Sequence, residues 1–190
     1  MNYLLLSTRI KLLAALLLLG AGAGAVSVLS YHVIELTGEP EYCASCHEME
    51  QFFDAWQAGP HGSESMGTRK AGCTGCHLPH DGTLNYIITK TRTGMHDLWA
   101  HYTGVETDWP AHLEKRNHYT YDSGCRRCHI ELTAPGIPLK AINAHRDYRL
   151  GDTEKTCVDC HNVTGHGDLA LMFMEETEVA QKEEMDDKEN

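Results

Sequence analysis

From Leu12 to Leu29 the chain carries no charge, and Ser27 is its only strongly polar position; the apolar character continues less evenly through Val33 and Ile34. This is the only long apolar run in the chain. Apolar residues recur at helical intervals over Glu48–Trp56 and again over Thr83–Gly104, where Leu84, Ile87, Ile88, Thr91, Met95, Leu98, Trp99 and Tyr102 are spaced for one face of a helix. Gly59-Pro60 closes the first of these segments, and Pro110 is placed to open a further helix through Arg116. The pattern predicts one long apolar helix followed by short amphipathic ones joined by loops.

At about 1.5 Å of rise per residue, the first run is long enough to cross a bilayer core of roughly 30 Å. Arg9 and Lys11 precede it and set the N-terminus on the cytoplasmic side. A cleaved signal peptide is the competing reading, with Ala21-Gly22-Ala23 or Ala23-Gly24-Ala25 as the cleavage site. Val26, Val28 and Leu29 persist beyond those sites, which favours a retained anchor. The spacing of Gly20 and Gly24, repeated by Ala21 and Ala25, would let two such helices pack closely, so a homo-oligomer is possible in principle.

The remaining length suits one domain, yet aromatic residues make up only 7% of the chain and only three are Phe. A side-chain core would be thin, and something else must fill the interior. The net charge of −11 argues against nucleic acid and anionic lipid as main partners. Much of it sits in residues 170–190, which hold eight acidic and two basic groups and read as a solvated tail.

The filler is indicated by the cysteines. All eight fall into four CxxCH motifs: Cys43 and Cys46 with His47, Cys73 and Cys76 with His77, Cys125 and Cys128 with His129, Cys157 and Cys160 with His161. Two cysteines at this spacing can each form a thioether to one porphyrin, and the adjoining histidine can ligate its iron. Zinc ribbons or redox disulfides would also use CxxC pairs, but neither requires the histidine that follows every pair. The expectation is four covalently bound haem c groups in a mainly α, loop-rich multihaem cytochrome c fold, the porphyrins serving as the core.

Nine histidines lie outside the motifs. His61 stands sixteen positions before His77, and His145 sixteen before His161, so the haem domain reads as two dihaem repeats. That placement makes His61 and His145 better second axial ligands than His32, His96, His101, His112 or His118; His166 is a third candidate. The expected layout is an anchor over 1–34, a tetrahaem domain over 35–169 and the acidic tail over 170–190.

The four motifs behind an N-terminal anchor, the CHxM of His47–Met49, the block Cys76-His77-Leu78-Pro79-His80 and the block Thr156–His161 together resemble the NapC/NirT tetrahaem quinol dehydrogenases. The resemblance implies that Met49 ligates the first haem, with Asp97 on the open side of the iron, and that a quinol binds near Lys90. It also implies the pairs His77 with His145, His129 with His166 and His161 with His61, so that the halves exchange ligands. The presence of His145 sets the chain with the self-contained NapC and CymA type, apart from the NrfH-like small subunit of a nitrite reductase complex.

The function so implied is oxidation of menaquinol or ubiquinol from the membrane pool in anaerobic respiration. Electrons would pass to a periplasmic terminal reductase or a soluble periplasmic cytochrome, from a single-pass protein of the bacterial inner membrane with its haem domain in the periplasm. The competing reading is a tethered electron shuttle without a quinol site. A surface ion pair on a helix is the competing, less favoured reading of Lys90 and Asp97.

Overall fold

A computed structural model describes residues 2–62, 71–105, 107–167, 169 and 173. The described residues form helices and loops with no strand. Helix α1 spans Asn2–Leu36, and its stretch Thr8–Leu36 has a mean hydropathy of 2.3 with none of its side chains buried. No charge interrupts it between Lys11 and Glu35. By length and composition it can cross a membrane.

Eight shorter helices follow: α2 (Pro40–Cys43), α3 (Glu50–Ala58), α4 (Cys73–His77), α5 (Thr83–Thr103), α6 (Trp109–Glu114), α7 (Asp122–Arg126), α8 (Leu139–Leu150) and α9 (Cys157–Cys160). Single 3-10 turns at His47–Met49 and Arg116–His118 adjoin α3 and α6. The amphipathic segments thus form close to their expected bounds. Helix α5 stops where Gly104 enters the left-handed region at φ 63°, a conformation that costs glycine no Cβ clash. Helix α8 has no strong apolar periodicity and is legible chiefly from its end, where Gly151 (φ 74°) again supplies the left-handed cap.

The side-chain core is as thin as the composition implies. Phe52, Trp56, Leu78, Leu169 and Phe173 are the buried large apolar residues among those described. Phe52, Leu169 and Phe173 form one cluster, against which Met49, Ala55 and Trp109 pack. Phe173 therefore belongs to the core, although it falls in the segment read as a tail; residues 170–172 and 174–190 lie outside the described residues.

Helices α4 and α7 cross at close range, joining the first two motifs to the last two. Tyr121 N donates to Cys76 O at 2.9 Å, and His80 N donates to Ser123 Oγ at 2.9 Å. A Cβ placed on Gly124 would run into the carbonyl oxygen of Gly75. Gly124→Ala is therefore expected to force the helices apart and destabilise the protein by roughly 1–3 kcal/mol, the usual scale of overpacking. A thermal melt followed by haem absorbance would register this as a lowered Tm.

Candidate functional site: four cysteine–histidine turns and the edge of helix α5

Each motif occupies one turn of chain. Cys73 to His77 make up α4 and Cys157 to Cys160 make up α9, while Cys43 ends α2 and Cys125 lies in α7. A helical turn places residues three apart on the same side, as two thioethers to one porphyrin require. The fourth motif is shaped by a capping box: Thr156 N donates to Asp159 Oδ2 at 2.7 Å, while the Thr156 side chain caps the opposite way. Asp122 Oδ1 accepts from Cys157 N at 2.9 Å and ties α7 to α9. None of the eight cysteines is in a disulfide.

The motifs come together two by two through their first cysteines. A hydrogen bond from Cys73 draws the Cys43 thiol down to about 7 and pushes that of Cys73 up. A hydrogen bond between Cys125 and Cys157 does the same, with Cys125 at about 7 and Cys157 raised. The two-fold repeat legible in the chain is therefore a repeat in space.

The histidine rings are arranged as closely as the sulfurs. His61 and His129 have ring centres 6.2 Å apart, His77 and His166 6.0 Å, and His145 and His161 6.1 Å. Two imidazoles on opposite sides of one metal, each bonded at about 2.0 Å, have ring centres roughly 6 Å apart, so these spacings fit a shared iron. His61 Nδ1 lies 3.3 Å from Thr164 O, His77 Nδ1 2.8 Å from Tyr119 O and His166 Nδ1 3.0 Å from Phe52 O. A carbonyl only accepts, so Nδ1 carries the proton in each case and Nε2 is left as the metal-binding atom. Burial is the largest cause lowering the pKa of His166, and it favours the neutral ring that metals bind.

The rings that lie together differ from the pairs the resemblance implies. His77 faces His166, not His145; His129 faces His61, not His166; His161 faces His145, not His61. Two pairs cross between the halves and one is local, because α8 folds His145 back over its own motif. His80 is no ligand candidate: its Nε2 donates to Thr74 O at 3.0 Å, and Arg127 donates to its Nδ1 at 3.0 Å.

Helix α5 lays a polar stripe along the first motif. Lys90, Gly94, Asp97 and His101 recur at helical spacing on one face, whereas Leu84, Ile88, Met95, Trp99 and Tyr102 share the opposite face and are exposed. Lys90 and Asp97 both lie near enough to Cys43 for their charges to act on its sulfur. His101 Nδ1 is 3.0 Å from Glu48 Oε1, and His47 Nδ1 is 3.3 Å from Glu48 Oε2. A hydrogen bond accepted from a backbone N–H, then the one from His101, hold the Glu48 carboxyl below its usual range. Asp97 is exposed on this edge, 3.4 Å from His96.

Lys90 Nζ is buried and has no hydrogen-bond partner among the described residues. It sits where α1 gives way to α2, 3.3 Å from the point a Cβ on Gly38 would occupy. Burial lowers its pKa, and the Cys43 sulfur opposes this. Beside it an open groove of about 240 Å³ is lined by Tyr31, Ile34, Glu35, Gly38, Glu39, Thr74 and Tyr86, at the very end of the apolar helix. Sequence reasoning singled out Lys90 and Asp97 but missed Glu48, His101 and the groove. Only His101 left a trace in the sequence, at position i+4 from Asp97.

Four thioether-competent turns, histidine rings spaced for axial ligation and a membrane-length helix define a multihaem c-type cytochrome of electron transport. The model of the NapC/NirT cytochrome c family, N-terminal region, matches residues 6–171, and the chain belongs to that family. It is similar to the cytochrome c-type protein TorY of Haemophilus influenzae, at 29% identity over 82% of this chain and 44% of that protein. It is also similar to the cytochrome c-type protein NrfH of Wolinella succinogenes (27% identity, 75% of each chain) and to the tetraheme c-type cytochrome CymA of Shewanella oneidensis (27%, 80% of this chain and 89% of CymA). The chain spans less than half the length of the TorY proteins it matches. Among solved structures, a cytochrome c nitrite reductase NrfHA complex bound to the inhibitor HQNO shares the fold, with a TM-score of 0.53 at 21% identity over 80% of this chain and 91% of that one.

Proposed function

We propose that this chain oxidises a membrane quinol where α1, α5 and the first motif meet, and that the electrons leave through four covalently bound haems to a periplasmic reductase of anaerobic respiration. The observation that carries the reading is Lys90 Nζ, a buried donor with no partner among the described residues, at the lipid end of the anchor helix. A buried ammonium without a partner is costly, so a ligand oxygen at this position would satisfy it. The groove beside it opens where a lipid-soluble molecule leaving the bilayer would arrive.

Haem, when bound, supplies one-electron carriers, whereas a quinol gives up two electrons and two protons on becoming the quinone. The residues divide that work. The eight motif cysteines would attach the groups, and the pairs His61–His129, His77–His166 and His145–His161 would hold three irons. Lys90 Nζ donates a hydrogen bond to a quinol oxygen and steadies negative charge developing there. The Asp97 carboxylate accepts the two protons one after the other and, being exposed, hands each to water. The outward apolar stripe of α5 suits contact with the lipid surface, with Trp99 and Tyr102 at its far end. Every motif histidine named here finds its partner ring within the same chain, which supports the self-contained type over a permanent reductase subunit.

The test is reduction of the purified protein in lipid nanodiscs by menaquinol and ubiquinol analogues, with no other protein present. Haem absorbance is expected to rise to full reduction with one of them. If a chemical reductant reduces all haems while both quinols leave them oxidised, the chain is a tethered shuttle and the site at Lys90 is excluded.

A further inference from the structure

We infer that α5 is a second membrane element, lying in the lipid interface beside the end of α1 with its apolar stripe among acyl chains. This rests on α1 as the membrane anchor. It deepens the quinol reading, because it sets the groove at Lys90 against the leaflet itself. Leu84, Ile88, Met95, Trp99 and Tyr102 share one face of α5, and each is 56–82% exposed. From Leu84 to Tyr102 the stripe runs about 27 Å along the helix. An exposed apolar patch of this extent marks a contact surface.

Lipid is the occupant for three reasons. The protein itself covers the other side of α5. Tyr86 lines the groove together with Tyr31 and Ile34 of α1, Lys90 Nζ lies 3.3 Å from the point a Cβ on Gly38 would occupy, and His101 Nδ1 lies 3.0 Å from Glu48 Oε1. The stripe therefore points away from the first motif, and a group attached at Cys43 and Cys46 lies on the covered side. The second reason is continuity with the bilayer. Helix α1 carries no charge from Leu12 to Ile34, about 34 Å of helix against a hydrocarbon core of about 30 Å. Its last turns thus sit at the membrane surface, and α5 begins against them. The third is the placing of polar groups. The charged residues of α5 are Lys90, Arg92 and Asp97. Lys90 and Asp97 are on the side of the first motif, whereas Arg92 is at the margin of the stripe, where a guanidinium can reach a headgroup phosphate. Trp99 and Tyr102 are the aromatic types that settle at headgroup level. A quinol then reaches the groove by moving within the leaflet, without crossing water.

The test uses the full-length holoprotein in nanodiscs, one copy per disc, with a phospholipid that carries a photoactivatable diazirine in its acyl chain. Labelled peptides are mapped by mass spectrometry after illumination. Label is expected on α1 and on the stripe of α5. None is expected on α8, whose Leu139 and Leu150 are 71% and 66% exposed and serve as the control. Ile88→Glu combined with Trp99→Glu is expected to lose the α5 label while keeping the label on α1 and all four haems. Label on α1 with none on α5 in the wild type overturns the inference, even if the double variant fails to mature. Equal label on α8, or an unchanged α5 label in the variant, overturns it too. Label on α5 that vanishes in discs holding two copies assigns the stripe to a second copy and has the same consequence. Labelling is read without quinol, so the two readings separate. Labelled α5 in discs whose haems no quinol reduces overturns the quinol reading alone, and reduction by quinol with α5 unlabelled overturns this inference alone.

Discussion

Replacing Cys73 and Cys76 together by serine is expected to remove one haem from the intact mass and to unfold the haem domain, not merely to empty one site. The reason lies in how little else holds the domain together. Five large apolar side chains are buried among the described residues, and they cannot offset the conformational entropy of so long a chain. The second motif also sits at the crossing of α4 and α7, where Cys76 O accepts from Tyr121 and His80 is tied to Arg127 and Ser123. A haem anchored there supports both halves, through His77 on one side and His166 on the other. Its loss is expected to consume most of the about 5–15 kcal/mol of stability typical of a folded domain. Helical circular dichroism outside α1, measured with limited proteolysis, would report it. A variant with three haems and an unchanged melt would mean that the polypeptide folds without its cofactors.

Asp97→Asn is expected to slow quinol-driven haem reduction by about 10²-fold, the low end of what a positioned general base contributes. Lys90→Ala is expected to cost about as much, as does removal of a single charge-stabilising donor from a water-poor site. Both variants should retain four haems and reach full reduction with a chemical reductant, which separates a lost quinol site from a lost fold. The pH dependence has a definite sign. Lys90 donates as an ammonium, and burial holds its pKa below the ordinary lysine value. Activity limited by this group is full below that lowered pKa and lost as pH rises through it, so the alkaline limb falls earlier than an exposed lysine would give. Lys90→Arg, which stays charged, should move that limb to higher pH. Stopped-flow reduction across pH would show the displacement. Wild-type rates in both Lys90→Ala and Asp97→Asn would place quinol oxidation elsewhere.

What could be read along the chain and what could not divide by distance in sequence. Haem attachment is written within five residues, because two thioethers and an axial imidazole all come from one turn, and local geometry suffices. The anchor is likewise local: a helix satisfies its own backbone in lipid, so composition alone specifies it. The apolar face of α5 follows from the 3.6-residue period, whereas Lys90 and Asp97 were singled out by the resemblance alone.

The axial partners are the opposite case. His166 is positioned by Phe52, 114 residues away, and His61 by Thr164 at a separation of 103. The sixteen-residue spacing shared by His61 and His145 suggested equal roles, yet only His145 turns back on the motif it precedes. His61 crosses to His129. A ring's partner is set by which helices cross and where, as at Gly75 and Gly124, and that crossing depends on packing between segments that carry no mark of each other in sequence. The chain by itself carries the four attachment motifs and the anchor; the tertiary structure decided which histidine rings lie together, because only close packing brings distant segments to one place.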